Sequence, residues 1–248
     1  MERKVPKMEI SDISTVHLEK EEKNRMFNFI MKTWNPVVGC RHECCYCWAR
    51  KLAETKLKKI DRYKNGFTPK LIDKELSKRF KNEIVFVSDM GDLWGEWVPK
   101  EWILAVLDAT KRSSETNFFF LTKNPDRYLE FLNLIPTNAI LGATIETNRN
   151  TSAYSKAPLP GDRLKAMQEL RYRCSNNIMV SVEPIMDFDL FNFLDSIKRI
   201  QPNFVVIGKD NYRNDLIEPD LEKILSLVHE LEDLTKVVLK KGLRKQIF

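Results

Sequence analysis

Short apolar runs recur along the chain with longer amphipathic stretches between them, an alternation that predicts βα units around a parallel sheet. Residues 32–38, 84–88, 117–122, 139–145, 178–182 and 204–208 read as six strands. Between them, 46–59 places Ala49, Leu52, Ala53 and Leu57 on one side of a helix, and 99–111 opens with Pro99 at a first-turn position. Helices over 125–134, 162–173, 189–200 and 219–234 complete the series. The fourth crossover is the longest and carries a Pro-rich loop at 157–161 before its helix. A short seventh run, 237–239, precedes a basic tail. Residues 1–30, rich in Lys and Glu and poor in apolar positions, stand apart as an N-terminal extension or a short helix, leaving 31–248 as a single domain. The fold class is α/β, and a chain of 248 residues buries a core large enough for one barrel-sized domain.

The apolar runs also exclude some destinations. The longest, 117–121 and 178–182, fall far short of the roughly twenty residues that cross a bilayer. The basic N-terminus has no apolar stretch or small-residue cleavage site behind it, so it does not read as a secretory signal. A cytoplasmic protein with no membrane partner is expected. Net charge is +6 and pI about 9.0, and the excess is concentrated: residues 50–81 hold twelve basic side chains against four acidic ones. Within that stretch Lys56, Lys58, Lys59, Arg62 and Lys64 form a candidate nucleic-acid contact, with Tyr63 and Phe67 interleaved as stacking residues. A solvated lysine-rich helix face is the competing reading.

Cysteine placement changes the picture most. Four of the five cysteines lie in the run Cys40-Arg-His-Glu-Cys44-Cys45-Tyr46-Cys47. An odd number so clustered is no disulfide framework, and thiols this dense are an oxidation liability unless they bind metal. Zinc would need a fourth ligand, which His42 could supply, but no second ligand pair exists elsewhere. The spacing C-x3-C-x2-C, with an aromatic before the last cysteine, resembles the radical S-adenosylmethionine (SAM) superfamily. The resemblance implies a [4Fe-4S] cluster held by Cys40, Cys44 and Cys47, its fourth iron left open for the amino and carboxylate groups of SAM, with Tyr46 near the adenine. Cys45 departs from the motif and is expected to point away. The six βα units are similar to the partial (β/α)6 TIM-like barrel of that superfamily, over about residues 30–235. The Trp34-Asn35-Pro36 opening, the Gly39-Cys40 step and the Glu183-Pro184 pair resemble an uncharacterised phage and archaeal radical SAM-like family and, more remotely, the spore photoproduct lyase family.

Parallel βα barrels carry function at the carboxyl ends of their strands. There the superfamily often has Gly-Gly-Glu after the second strand, to contact the SAM amino group; this chain has Ser88-Asp89-Met90-Gly91-Asp92 instead. Ser88, Asp89 and Asp92 offer oxygen acceptors to an ammonium, although Asp92 also reads as a helix-capping residue before Trp94. Lys123 follows the third strand and could meet the SAM carboxylate or a substrate phosphate. Thr144, Glu146 and Asn148 alternate to one face after the fourth strand, and similar positions bind the SAM ribose in the superfamily. Ser181 and Glu183 alternate inward after the fifth, with Glu183 in or next to the cofactor shell.

The resemblance implies reductive cleavage of SAM to a 5′-deoxyadenosyl radical, with an electron donor such as ferredoxin or flavodoxin. Only Cys45 and Cys174 remain outside the trio, too few to ligate a second cluster. Basic charge favours an RNA or DNA substrate, modified or repaired; a peptide or small metabolite, or a non-catalytic iron-sulfur protein, are the alternatives. His17, His42 and His229 form no catalytic constellation in the sequence. Cys174, in a predicted helix, reads as a small core residue rather than a hydrogen donor.

Overall fold

The computed structural model describes residue 27 and residues 29–247. Along the chain run β1 (Lys32–Trp34), β2 (Val37–Val38), α1 (Trp48–Glu54), β3 (Lys70–Leu71), β4 (Ile84–Val87), α2 (Lys100–Lys111), β5 (Asn117–Thr122), α3 (Asp126–Leu129), β6 (Ile140–Thr144), α4 (Pro160–Arg173), β7 (Asn177–Val182), α5 (Leu190–Ile200), β8 (Phe204–Ile207), α6 (Leu221–Glu232), β9 (Lys236–Leu239) and α7 (Lys241–Ile247). One sheet of seven strands, ordered β1-β4-β5-β6-β7-β8-β9, is parallel throughout, giving the expected partial TIM-like barrel. The seventh apolar run is thus a full edge strand, and the basic tail behind it is helical. No helix among the described residues is long and apolar enough to cross a membrane.

Period-two alternation sorts each strand's side chains into two cores. Val85, Val87, Phe118, Phe120, Leu141, Ala143, Val180, Val182, Val205 and Ile207 pack outward with the apolar faces of the helices. Ile84, Phe86, Phe119, Ile140, Met179, Phe204 and Val206 point inward and form a second cluster with Phe27, Phe29 and Ile30. Phe29 meets Phe119 and Phe204 edge-on at 5.5 and 5.4 Å, a favourable geometry for aromatic rings. Phe27, Phe29 and Ile30 therefore belong to the packed body, as the apolar floor of the barrel. The rest of the expected extension, and His17 with it, lies outside the described residues.

Several element boundaries differ from the sequence expectation. The strand read over 32–38 breaks at Asn35-Pro36, where proline has no N–H for the ladder. Its second half, β2, leaves the main sheet and pairs antiparallel with β3. The helix read over 46–59 ends at Glu54, and the Leu57 N–H closes a wide turn onto the Leu52 carbonyl at 3.0 Å, which turns Leu57 towards a small cluster around Tyr63 and Phe67. The helix read over 125–134 is the short α3, because the Tyr128 hydroxyl is drawn to the Gly142 carbonyl at 3.0 Å and the chain then continues in turns. Cys174 is the C-cap of α4, partly buried against the outer core.

Capping marks α6 more cleanly. The Asp220 carboxylate accepts from the Lys223 N–H at 2.8 Å, and Ile224, Leu227, Val228 and Leu231 form the buried stripe that holds the helix on the sheet. Asp220→Ala removes the cap and is expected to cost about 1 kcal/mol, read as a shift in urea midpoint at unchanged slope.

Candidate cofactor and substrate pocket

The inward alternation continues past the strand ends, and there it becomes polar. A cavity of about 910 Å³ opens at the carboxyl end of the sheet, near the upper end of the range for small-molecule sites. Phe27, Phe86 and Leu121 contribute its apolar part, while Lys123, Thr144, Ser181, Glu183 and Lys240 face it from successive strand ends.

Cys40, Cys44 and Cys47 line this cavity and Cys45 does not; Cys45 is exposed. Their loop is pinned on three sides. Gly39, at φ +81°, donates its N–H to the Met90 carbonyl at 2.9 Å, and the Cys40 N–H donates to the Phe67 carbonyl at 3.1 Å. A Cβ on Gly39 would lie 2.3 Å from the Thr68 carbonyl oxygen, so only glycine fits this approach. From the other side the loop after β6 reaches over: the Cys45 N–H donates to the Tyr154 carbonyl at 2.9 Å, and Ser155 Oγ lies 3.1 Å from Cys44 Sγ. The Cys47 sulfur accepts from the Arg50 N–H at 3.3 Å as the cap of α1.

Two buried carboxylates organise the wall beside the thiols. Asp92 accepts from His42 Nε2 at 2.9 Å, from the Thr122 hydroxyl and from the Trp94 and Lys123 N–H groups. Burial opposes its charge, but the His42 contact and these hydrogen bonds outweigh it and hold the carboxyl below its ordinary range. Glu146 is fully buried and accepts from the Tyr46 hydroxyl at 2.5 Å, from Arg163 Nη1 at 2.6 Å and from Lys123 Nζ. Burial again opposes ionisation, yet Arg163 and Lys123 prevail and bring its pKa to about 2. Lys123 Nζ also lies 5.1 Å from the Tyr46 ring centre. Burial, reinforced by Glu146, pushes the Tyr46 hydroxyl well above its ordinary value, so it stays protonated and donates.

These contacts sort the expected cofactor residues. Asp89 lines the cavity, accepts from Asn35 Nδ2 at 2.6 Å, and is raised by burial. Asp92 lines the cavity with both its oxygens already hydrogen-bonded, ordering the wall. Ser88, with φ +59°, turns the chain out of β4; its buried hydroxyl has no protein partner and is not on the cavity wall. Glu146, held by Tyr46, Lys123 and Arg163, lies behind the cavity wall. Asn148 sits away from the cavity, exchanging hydrogen bonds with the backbone of Asp189. Thr144 lines the pocket as expected, and Glu183 does so while paired with Lys240 at 2.9 Å.

The partnership of His42, weighed in the sequence only as a zinc ligand, and the role of Arg163 escaped the sequence reading. His42 lies inside the cysteine run, but its partner is fifty residues away, and it faces that carboxylate rather than the thiols. Arg163 did leave a signal: it shares the face of α4 that carries Met167 and Leu170, and an arginine on a buried stripe needs a partner. The lysine-rich stretch is different again. Lys56, Lys58, Lys59 and Lys64 are exposed surface residues off the cavity wall, Arg62 pairs with Glu75 at 3.1 Å and Lys64 with Asp61 at 2.6 Å. Tyr63 and Phe67 are only 3% and 4% exposed; Tyr63 packs in a small core, and Phe67 turns to the cavity rather than to the lysine-rich surface.

The donor set suits a multi-iron cluster better than a single ion. Three soft thiols share one wall, and among the described residues no three His, Cys, Asp or Glu side chains converge closely enough to hold one ion. A cubane binds its thiolates through separate irons and spreads them apart, whereas a tetrahedral zinc draws its ligands onto one point.

Comparison with known proteins gives the following. A family model described as a protein of unknown function (DUF5131) matches residues 24–208. No curated protein matches the sequence. Among solved structures, a spore photoproduct lyase double mutant with bound AdoMet and dinucleoside spore photoproduct is similar with TM-score 0.52 and 12% identity, over 82% of this chain and 61% of that one. A single mutant of the same lyase gives TM-score 0.60 and 12% identity over 82% and 74%. SuiB from Streptococcus suis bound to S-adenosylmethionine gives TM-score 0.52 and 10% identity over 86% and 51%. The chain thus spans less than two thirds of the first of these proteins, and identities this low show a shared fold.

Proposed function

The chain belongs to the DUF5131 family of proteins of unknown function, and we propose that it is a radical SAM enzyme whose [4Fe-4S] cluster is held by Cys40, Cys44 and Cys47 and whose SAM lies in the adjoining cavity. One observation carries this reading: of the five cysteines, only the three with motif spacing line the pocket at the carboxyl end of the parallel sheet. Solved structures of the same fold with AdoMet or S-adenosylmethionine bound support it.

When bound, cluster and SAM supply one-electron reductive cleavage to methionine and a 5′-deoxyadenosyl radical, the electron coming from a ferredoxin- or flavodoxin-type donor. The chain's own residues bind, orient and shield. Lys123, held between Tyr46 and Glu146, presents an ammonium suited to the SAM carboxylate; Asp89 is the acceptor left for its amino group; and Thr144 and Ser181 offer hydroxyls to the ribose. His42 and Asp92 hold the thiol loop against the sheet, and the His42 N–H donates to Cys40 Sγ at 3.4 Å. Phe27, Phe86 and Leu121 keep water from the inner end, which protects a reactive intermediate.

A nucleic acid is the proposed substrate class, supported by the basic balance of the chain and by the lysines that face the cavity. An oxygen-sensitive cluster fits a reducing, cytoplasmic setting. Anaerobic reconstitution with iron and sulfide, followed by mass-spectrometric detection of 5′-deoxyadenosine and methionine under dithionite, tests the reaction. A loaded protein that leaves SAM intact would end the proposal.

A further inference from the structure

The geometry points to a nucleotide-binding wall on the C-terminal rim of the pocket, where Tyr212 stacks on a base and Lys209 and Lys245 hold the phosphates of a single-stranded nucleic acid. This rests on the reading of the cavity as the place where SAM and substrate meet, and gives the substrate its own contact surface. It also moves that surface away from the lysine-rich stretch at 56–64, which lies off the cavity and whose aromatic residues are buried.

The rim is built from the end of the sheet opposite β1 in strand order. The loop after β8 brings Lys209, Asn211 and Tyr212 to the cavity, and α7 after β9 brings Lys241, Gly242 and Lys245. Loop and helix lie close: a Cβ on Gly242 would stand 2.5 Å from Asn211 Oδ1 and 3.6 Å from Lys209 Cε.

Charge on this rim is available to a ligand. Lys240 is neutralised by Glu183 at 2.9 Å, but among the described residues Lys209 and Lys245 have no carboxylate within ion-pair distance. Lys209 is half-buried, and a partly desolvated cation without a counter-charge carries a cost that an incoming anion offsets. Of the loop's acids, Asp210 is turned onto the loop itself, accepting from the Tyr212 N–H at 2.9 Å and from Asn214 Nδ2 at 2.7 Å, and Glu218 accepts from the Asp210 N–H at 2.9 Å; neither forms an ion pair with Lys209. Beside these cations the Tyr212 ring is 56% exposed. An open aromatic face flanked by unpaired lysines is the arrangement that binds single strands, the ring taking a base of any sequence and the cations the backbone. A base inside a duplex cannot reach a recessed cavity without leaving the stack, so the strand is single or locally opened.

Fluorescence anisotropy with a 5′-fluorescein octathymidylate, titrated anaerobically with the full reconstituted chain at about 50 and 200 mM salt, tests the assignment. Lys209→Gln/Lys245→Gln should weaken binding about tenfold at the lower salt and flatten the log–log salt dependence by about one to two, the value for two lost phosphate contacts. Tyr212→Ala should lose about tenfold at both salts while Tyr212→Phe binds like the native chain, since stacking needs the ring and not the hydroxyl. Lys165→Gln/Lys198→Gln, an equal charge change at exposed positions of α4 and α5, should alter neither value. The proposal is overturned if the octamer fails to bind at the lower salt, if the rim variants bind normally, or if Lys56→Gln/Lys59→Gln carries the loss instead. Thymidine 5′-monophosphate competing as well as the octamer would likewise overturn the strand. SAM cleavage in the same preparations is scored separately: cleavage without oligonucleotide binding removes the rim and keeps the enzyme, and binding without cleavage does the reverse.

Discussion

Alanine at Cys40, Cys44 or Cys47, one at a time, should abolish the broad visible absorption of the reconstituted protein and reduce 5′-deoxyadenosine formation to background. The fall should exceed the roughly 100-fold that even a change behind the ligands can produce, because a cubane with two protein ligands left is not retained. Cys45→Ala should keep both the absorption and the cleavage, since the Cys45 side chain is exposed and off the cavity wall and the loop is anchored there through its backbone N–H. The four variants together separate the cluster reading from a mere cysteine-rich turn. If Cys45→Ala bleached the protein while one of the other three did not, the ligand trio would have to be reassigned.

The second large effect lies in the buried ion pair under the pocket. Arg163 and Glu146 are both fully buried, and Arg163 also donates to the Thr144 carbonyl at 2.7 Å and the Pro158 carbonyl at 2.7 Å. Arg163→Met leaves the carboxylate with Lys123 and Tyr46 alone and should destabilise the chain by about 3–5 kcal/mol, the span for breaking a buried pair from one side. For a domain of this size that is a fall in Tm of roughly 10 °C, visible by calorimetry. The double variant Glu146→Gln/Arg163→Met should recover part of the loss, because no charge is then stranded. Acid adds a second readout. A carboxyl held at about 2 against an ordinary 4.5 contributes stability that is complete above the ordinary value and is lost as pH falls towards 2. Stability of the native chain should drop across that window, and Glu146→Gln should make the drop shallower; the remainder reports the other lowered carboxylates, Asp92, Glu75 and Asp187 among them.

What could be read in advance divides by range along the chain. The thiol spacing is a local pattern, and so is the period-two run that makes Phe118-Phe119-Phe120 face alternately out and in. Both were legible. Alternation also carried Lys123, Thr144 and Glu183 correctly to the mouth, because strand geometry persists one or two residues beyond the ladder. It failed at Asn148, where the chain has left the strand and turned towards Asp189. The pairs that order the pocket wall, His42 with Asp92 and Arg163 with Glu146, join segments whose proximity depends on the finished barrel, and no pattern within either segment marks the partner. The lysines at 56–64 lie off the cavity for a related reason. Charge along the sequence is not charge around a cavity, and the cations facing this one come from strand ends and from α7, in a tail that looked like no more than an appendage.

Phe27, Phe29 and Ile30 pack across the inner end of the barrel, opposite the mouth lined by the strand ends. A closed inner end means that two ligands sharing the space have to queue: whichever lies deeper must arrive first and depart last. On the proposed reading, with SAM beside the thiol trio and Lys123 and the strand at Tyr212, the sulfonium cofactor would enter ahead of its reaction partner and its fragments would leave after it. Turnover would then follow a compulsory sequence, and a strand parked at the threshold would slow exchange of the cofactor behind it, an effect that labelled-cofactor release kinetics would register directly.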